Sequence, residues 1–301
     1  MLKTTSKLPS DPLRIPLLAQ NSLLYESVVT PKPGLVDPAH PGAHSDMTIF
    51  TFIDSSTALL TGFTDYYQAG RAHQGSLGRL FTKIRPIGLE IEEQMNQATL
   101  GVNTHKGAIF SFGILLASLG YFHQNQPSKL NQPLSEADSQ TVFEIGQDMV
   151  QDSLGKDFIG LEDKIQLTNG EKLYLEHGIR GIRGEALEGY PLVQELALPY
   201  LRKMKNQEHS LSLNQTLLTT LFLLISQSED SNLINRGGLT GLAWAQKEAQ
   251  KILQTNIISQ EDYFPELMAV NQRFVEKHLS PGGSADLLAL TIFMAKLENL
   301  I

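Results

Sequence analysis

Residues Lys164–His177 read KIQLTNGEKLYLEH, and the fold class turns on how they are taken. Asn169-Gly170 between residues of alternating polarity is the signature of a two-residue hairpin turn. Thr168 and Glu171 stand three apart, the spacing of a capping box, in which the hydroxyl accepts from the amide three residues on and the carboxylate reaches back. The two readings give opposite folds. Strand signals are scarce elsewhere, so the spacing predicts a short helix from about Gly170 to Glu176, stopped at Gly178. With that segment helical, the chain is all-α.

Outward from this segment, apolar residues recur at helical spacing. Met47, Phe50 and Ile53, with Ser56–Ala58, begin one face, and Leu89, Glu92, Met95 and Thr99 lie along a stripe of a second helix. Leu213, Leu217, Leu221 and Leu224 line a third, apolar on nearly every side and so predicted to be buried. Asp286–Leu297 has the same all-round character, which puts the C-terminal helix at the centre. Residues 1–14 read as a loosely ordered tail, and 124–140, polar with two prolines, as a surface loop. No repeat recurs at a fixed period, so residues 15–301 form a single all-α domain in the simplest account.

Composition removes several chemistries. The 301 residues include no cysteine, which excludes disulfides, thiolate metal sites and a cysteine nucleophile, and fits a reducing cytoplasm. A formal net charge of −8 argues against a nucleic-acid binder that works through bulk positive charge. The N-terminal segment lacks the pattern of a signal peptide, and runs such as Ala108–Leu119 are too short to span a bilayer, so no membrane partner is expected. Any phosphate must be held by a few local cations.

Those cations sit in Gly- and Pro-rich turns that feed helices. Thr30–Asp37 (TPKPGLVD) fixes Lys32 and Asp37 in a rigid loop, and Gly42-Ala43-His44-Ser45-Asp46-Met47 follows, where Ser45 or Asp46 could cap a helix beginning near Met47. Gly101–Gly107 (GVNTHKG) leads into an apolar helix. Asn103 or Thr104 can cap it, leaving free amides beside Lys106, a combination that suits phosphate although the spacing is not a P-loop. Gly178–Ala186 (GIRGIRGEA) presents Arg180 and Arg183 in a glycine-punctuated turn, as forked donors for phosphate oxygens. Asp230-Ser231-Asn232 precedes Arg236-Gly237-Gly238. In Ser280–Asp286 (SPGGSAD), Ser284 and Asp286 read as N-cap and first-turn residues.

Together these motifs resemble one family, the triphosphoribosyl-dephospho-coenzyme A synthases of citrate lyase maturation, with a sister group that serves malonate decarboxylase. The resemblance rests on Thr30–Asp37, Gly42–His44 with Asp46-Met47, Arg85-Pro86 with Gly88, Glu92 and Met95, Ala98-Thr99, and Gly101–Gly107. It continues through Arg183–Ala186, Gly189–Pro191, Asn232, Arg236–Gly238 and Ser280–Leu288. Pro38 stands where the family usually has Arg, and Ser231 where it usually has Thr.

The resemblance implies an all-α fold and a reaction in which the 2′-hydroxyl of 3′-dephospho-coenzyme A attacks C1 of the ATP ribose. Adenine leaves, and the product passes to a transferase that loads the lyase acyl carrier protein. On that basis Lys106, Arg183 and Arg236 are assigned to the triphosphate with Asn103 and Asn232, and Lys32, His44 and Arg180 are held in reserve. Mg²⁺ is expected with ATP, and Asp46, Glu92 and Asp230 are its candidate ligands. Glu185 or Asp37 is the candidate base and His105 a candidate acid. Two rival readings are a magnesium-dependent ribosyl hydrolase and a non-catalytic coenzyme-A-binding accessory.

Overall fold

The computed structural model describes residues 13–164, 166–207 and 211–301. Most of the expected N-terminal tail lies outside them, and helix α1 already begins at Arg14. Thirteen α-helices and no strand occur among the described residues. They are α1 (Arg14–Val28), α2 (Ile49–Ala58), α3 (Leu60–Arg71), α4 (Leu77–Ala98), α5 (Lys106–Asn125), α6 (Glu136–Leu154) and α7 (Asn169–His177). They continue as α8 (Gly181–Leu187), α9 (Leu198–Lys205), α10 (Leu213–Gln227), α11 (Ser231–Thr255), α12 (Tyr263–Glu276) and α13 (Gly282–Leu297).

The deciding segment is α7. Thr168 Oγ1 accepts from the Glu171 amide at 3.3 Å, and Glu171 Oε2 accepts from the Thr168 amide at 2.7 Å. Gly178 ends the helix in the left-handed region, φ 71°. The capping box wins over the hairpin because its two bonds satisfy amides at the helix start that a lone turn would leave to solvent.

Two helices form the axis of the fold. Helix α5 packs on α3, α4, α6 and α13, and α13 packs on α1, α5 and α10. Both are buried over most of their length, which is why their sequences are apolar on every side. By length and composition α5 could cross a membrane, contrary to the reading of its apolar run as too short. Here 78% of that stretch is buried inside the protein, so the core accounts for its apolarity. In α10, Leu217, Leu221 and Leu224 are buried as predicted, and Leu213 at its start is exposed.

Other boundaries differ from the sequence reading. Helix α2 starts at Ile49, capped by Thr48 with Thr51 rather than by Ser45 or Asp46. Its Phe50 and Ile53 face outward, while Ser55 and Ser56 point inward, where Gln20 donates to the Ser56 carbonyl. The 124–140 loop is shorter than read, because Ser135 caps α6 with Asp138 and residues 136–140 are helical. Ser284 does not cap α13, which begins two residues earlier at Gly282.

What positions the site is the convergence of helix starts. Gly34 (φ 73°) approaches the Leu279 carbonyl so closely that a Cβ would stand 2.2 Å from its oxygen, which docks the TPKPG loop against the chain entering α13. Gly238 (φ 64°, ψ −171°) breaks α11 in a conformation open essentially to glycine alone, and so angles its first turns, with Arg236, toward that junction.

Candidate functional site

A cavity of about 1110 Å³ opens where the starts of α5, α8, α11 and α13 meet the inner faces of α1 and α4. That lies just above the 300–1,000 Å³ usual for a small-molecule site. Lys32, His44, Arg85, Lys106, Arg180, Arg183 and Arg236 line it, together with Glu26, Asp46, Glu92, Asp157, Glu185, Glu188, Glu229, Asp230 and Asp286.

The cations differ in how their charge is answered. Lys106 Nζ lies 2.8 Å from Glu92, with its side chain mostly exposed. Arg180 pairs with Glu188. Asp157 sits between Arg85 at 3.6 Å and Arg183 at 4.0 Å, too far from either for a good charged hydrogen bond. Arg236 has no carboxylate partner among the described residues. It donates to the carbonyls of Ala43 at 3.0 Å and His278 at 3.3 Å, and to His44 Nδ1 at 3.2 Å. Its positive charge therefore faces the cavity unneutralised.

Glu185 is a cavity carboxylate whose pKa is raised into the neutral range. Burial is the main cause that raises its pKa to about 7; the nearby Glu188 and Glu229 charges add to it, and the Leu192 amide opposes. That amide is 3.4 Å from Glu185 Oε2, at the head of the π-helical turn Leu192–Ala197.

Several residues singled out in the sequence have other duties. Asp37 is buried with both oxygens occupied, Oδ2 by the Lys32 amide at 2.7 Å and Oδ1 by the amides of Ala39 and His40 at 2.8 and 2.9 Å. It organises its loop and does not line the cavity, so it is withdrawn as a base. Lys32 is sealed in an ion pair with Glu26, which removes it from the phosphate set. His44 is held below its usual pKa by burial and by Arg236, and its Nε2 lies 2.9 Å from Ser280 Oγ. It aims Arg236 rather than supplying charge.

His105 is buried against Phe52, and its Nδ1 lies 2.7 Å from Ser55 Oγ. Burial, with Lys32 nearby, pushes its pKa down to about 3, so it holds no spare proton at neutral pH and cannot be the acid. Asp230, a candidate Mg²⁺ ligand in the sequence, caps two helices at once. Its Oδ1 accepts from the amides of Asn232 and Leu233 at 2.9 and 3.3 Å, and its Oδ2 from the Ser284 amide and hydroxyl at 2.8 and 3.0 Å. Saturated in this way, it is a poor metal ligand.

Asn103 caps Lys106 N at 3.2 Å, and Asn232 packs against Gly282; both remain on the cavity wall. Asp46 is exposed at the rim, 3.9 Å from His44. Among the described residues no three His, Asp or Glu side chains converge as a preformed metal site. A divalent ion that arrived with phosphates would need only one or two of these carboxylates, and Glu92 beside Lys106 fits that part.

Sequence reasoning missed Glu26 and Asp286. Glu26 lies on α1 six residues before Lys32, and the only signal was a carboxylate ending a mostly apolar helix just ahead of a rigid loop. Asp286 closes SPGGSAD, where a capping reading hid it.

The comparisons follow the same outline. A family described as ATP:dephospho-CoA triphosphoribosyl transferase matches residues 12–301. A relative in Streptococcus equi subsp. zooepidemicus strain H70, named as a 2-(5''-triphosphoribosyl)-3'-dephosphocoenzyme-A synthase, is 43% identical over 286 residues, which cover 94% of this chain and 96% of the relative. A relative of the same name in Streptococcus mutans serotype c is 39% identical over 303 residues and covers 100% of both chains. Protein CitXG of Leuconostoc mesenteroides subsp. cremoris is 40% identical over 284 residues, 93% of this chain and 58% of that one.

Proposed function

The chain belongs to the ATP:dephospho-CoA triphosphoribosyl transferase family, and from that premise we infer that it moves the triphosphoribosyl group of ATP onto the 2′-hydroxyl of 3′-dephospho-coenzyme A. Adenine is released, and the product is the prosthetic-group precursor of the citrate lyase acyl carrier protein. A downstream transferase consumes it. Both substrates are cytoplasmic metabolites, and the reaction belongs in that compartment.

The observation that carries the assignment of parts is Arg236, a cation on the cavity wall whose charge only carbonyls and a neutral imidazole answer. An anion of high charge would supply what is missing. Arg236, Lys106 and Arg183 grip the triphosphate, and the carboxylates Glu92 and Asp157 yield their cations to it. Arg180 stands in reserve at the same wall, and Asn103 and Asn232 orient oxygens. Glu92, with Asp46 as second choice, would hold Mg²⁺ through the phosphates; the ion would neutralise charge on the triphosphate. Glu185 takes the proton of the attacking hydroxyl, a task for which a base titrating near 7 is matched.

With both substrates bound side by side in this cavity, one in-line displacement needs no ribosyl-enzyme intermediate. The test is purified protein with ATP, Mg²⁺ and dephospho-coenzyme A. Adenine should appear only when dephospho-coenzyme A is present, without ADP or pyrophosphate. Adenine released without the acceptor would make the protein a hydrolase, and binding with no release would make it an accessory. Stoichiometric ADP or pyrophosphate would overturn the reading.

A further inference from the structure

One cation on the cavity wall has no part in that division of labour. Arg85 of α4 rests over the buried Phe81 ring, its guanidinium carbon 5.6 Å from the centroid. Its carboxylate partner, Asp157, stands 3.6 Å from Nη1 and is shared with Arg183 at 4.0 Å. Neither arginine pairs with a further carboxylate among the described residues. Two guanidiniums against one carboxylate leave a positive charge in excess. At 3.6 Å the forked donors of Arg85 still lack a well-placed acceptor.

A second cavity, of about 480 Å³, adjoins the first at this pair, and Arg85, Asp157, Thr168 and Arg183 line both. Ile159–Leu161 line the second cavity alone, on a crest between the short 3₁₀ turns Lys156–Phe158 and Leu161–Asp163. The crest is pinned on both sides: Phe158 packs on Tyr174 with ring centroids 4.5 Å apart, and Leu161 is buried. Between them Ile159 is turned outward and left 75% exposed. Single exposed isoleucines are common; this one gains meaning from the cavity it borders. The other charges there answer each other, since Lys164 lies 2.6 Å from Glu171, which caps α7. The second cavity thus offers an available guanidinium where it joins the first and aliphatic surface beyond.

Dephospho-coenzyme A has the same order of parts. Its ribose carries the attacking 2′-hydroxyl and, on the 5′ carbon, a diphosphate that leads into a pantetheine arm of amides and aliphatic links. With the hydroxyl at Glu185, the diphosphate falls one sugar away. Arg183, at the junction of the cavities, stands two residues before Glu185 on α8. The first cavity, just above the volume usual for a small-molecule site, has ATP to hold as well, so the arm needs a further place.

We propose that the second cavity is the subsite for the acceptor's arm, an inference that rests on the transferase reading above. Arg85 binds the diphosphate of dephospho-coenzyme A, and Ile159–Leu161 carry the pantetheine arm. The arginine pair sorts two polyphosphates, Arg183 facing the triphosphate of ATP and Arg85 the diphosphate of the acceptor. The arm subsite is what makes a coenzyme, rather than a simple nucleoside, the preferred acceptor.

Arg85→Ala should raise KM for dephospho-coenzyme A by about tenfold to a hundredfold, the size of a charge-assisted contact, and leave KM for ATP unchanged. Arg85→Lys should recover only part of that loss, because a point charge does not replace the planar fork. Ile159→Asp, at an exposed position, should also raise KM for dephospho-coenzyme A alone, by a smaller factor, because it sets a charge against the aliphatic arm. A KM for ATP that rises with the acceptor's or in its place, or two KM values that stay at wild type, would overturn the proposal.

Direct binding separates the subsite from the chemistry. Calorimetric titration of dephospho-coenzyme A into the protein without ATP should show weaker binding by Arg85→Ala and Ile159→Asp than by wild type, whether or not adenine is released. Equal affinity in all three would overturn the subsite. A wild type that binds dephospho-coenzyme A more tightly than the variants, yet releases no adenine from ATP, would sink the transferase reading alone.

Discussion

Replacing Glu185 by glutamine tests the base assignment through two readouts that move in opposite senses. The group titrates at about 7 because the cavity wall buries it, with Glu188 and Glu229 adding like charge. A base acts only when deprotonated, so with that pKa roughly 9% is active at pH 6 and roughly 91% at pH 8. Wild-type kcat/KM for adenine release should therefore rise about tenfold across that interval. Glu185→Gln should flatten the rise and lower the rate by about 10²–10⁴-fold.

Stability runs the other way. A carboxyl raised in the folded state is neutral in both states below its ordinary 4.5, and contributes no penalty there. As pH climbs through 4.5 toward about 7, the unfolded chain sheds the proton more readily than the fold does, and stability is lost. At 1.36 kcal/mol per unit, and trimmed for solvent at the cavity mouth, the loss is on the order of 2–3 kcal/mol. Urea unfolding at pH 5 and pH 8 should show Glu185→Gln close to wild type at the lower pH and more stable at the higher. A wild-type rate that stays flat between pH 6 and pH 8, or a fully active glutamine variant, would refute the reasoning.

Lys106→Ala should weaken the use of ATP by about tenfold to a hundredfold, the worth of a charge-assisted contact, with its circular dichroism unchanged because the side chain is mostly exposed. Asp230→Ala should cost about 2–4 kcal/mol in urea unfolding, since it uncaps α11 and frees the start of α13. An alanine variant as stable as wild type but unresponsive to Mg²⁺ would instead return Asp230 to the metal. Labelled adenine should not exchange into ATP with enzyme and Mg²⁺ alone; rapid exchange would reveal a ribosyl-enzyme intermediate.

The fold was legible where a local pattern had one physical outcome. The capping box at Thr168 and Glu171 decided α7, and the all-round apolar runs of α10 and α13 could only be buried. The start of α2 was misplaced for a related reason. Ser45, Asp46 and Thr48 can all cap, and only the reciprocal bond between Thr48 and Thr51 selects among them. The outward turn of Phe50 and Ile53 depends on which neighbours α2 meets, and a hydrophobic pattern by itself does not say which face the core will take.

In the site, the sequence distinguishes residues by type and the structure distinguishes them by partners. Lys32 and Lys106 look alike as loop lysines, yet one is locked to Glu26 in the interior and the other rests on Glu92 at an exposed rim. Asp37, Asp230 and Asp286 are three aspartates in or beside the segments that feed the cavity. The first accepts three amides, the second binds two helix starts, and the third lines the cavity beside Gly107. The number of donors that reach a carboxylate sets both its charge and its freedom to react. Those donors come from segments as far apart as α5 and α13, and no spacing along the chain encodes that meeting. The groups on the cavity wall left with the fewest partners are Arg236, without a counter-charge, and Glu185, with one distant amide.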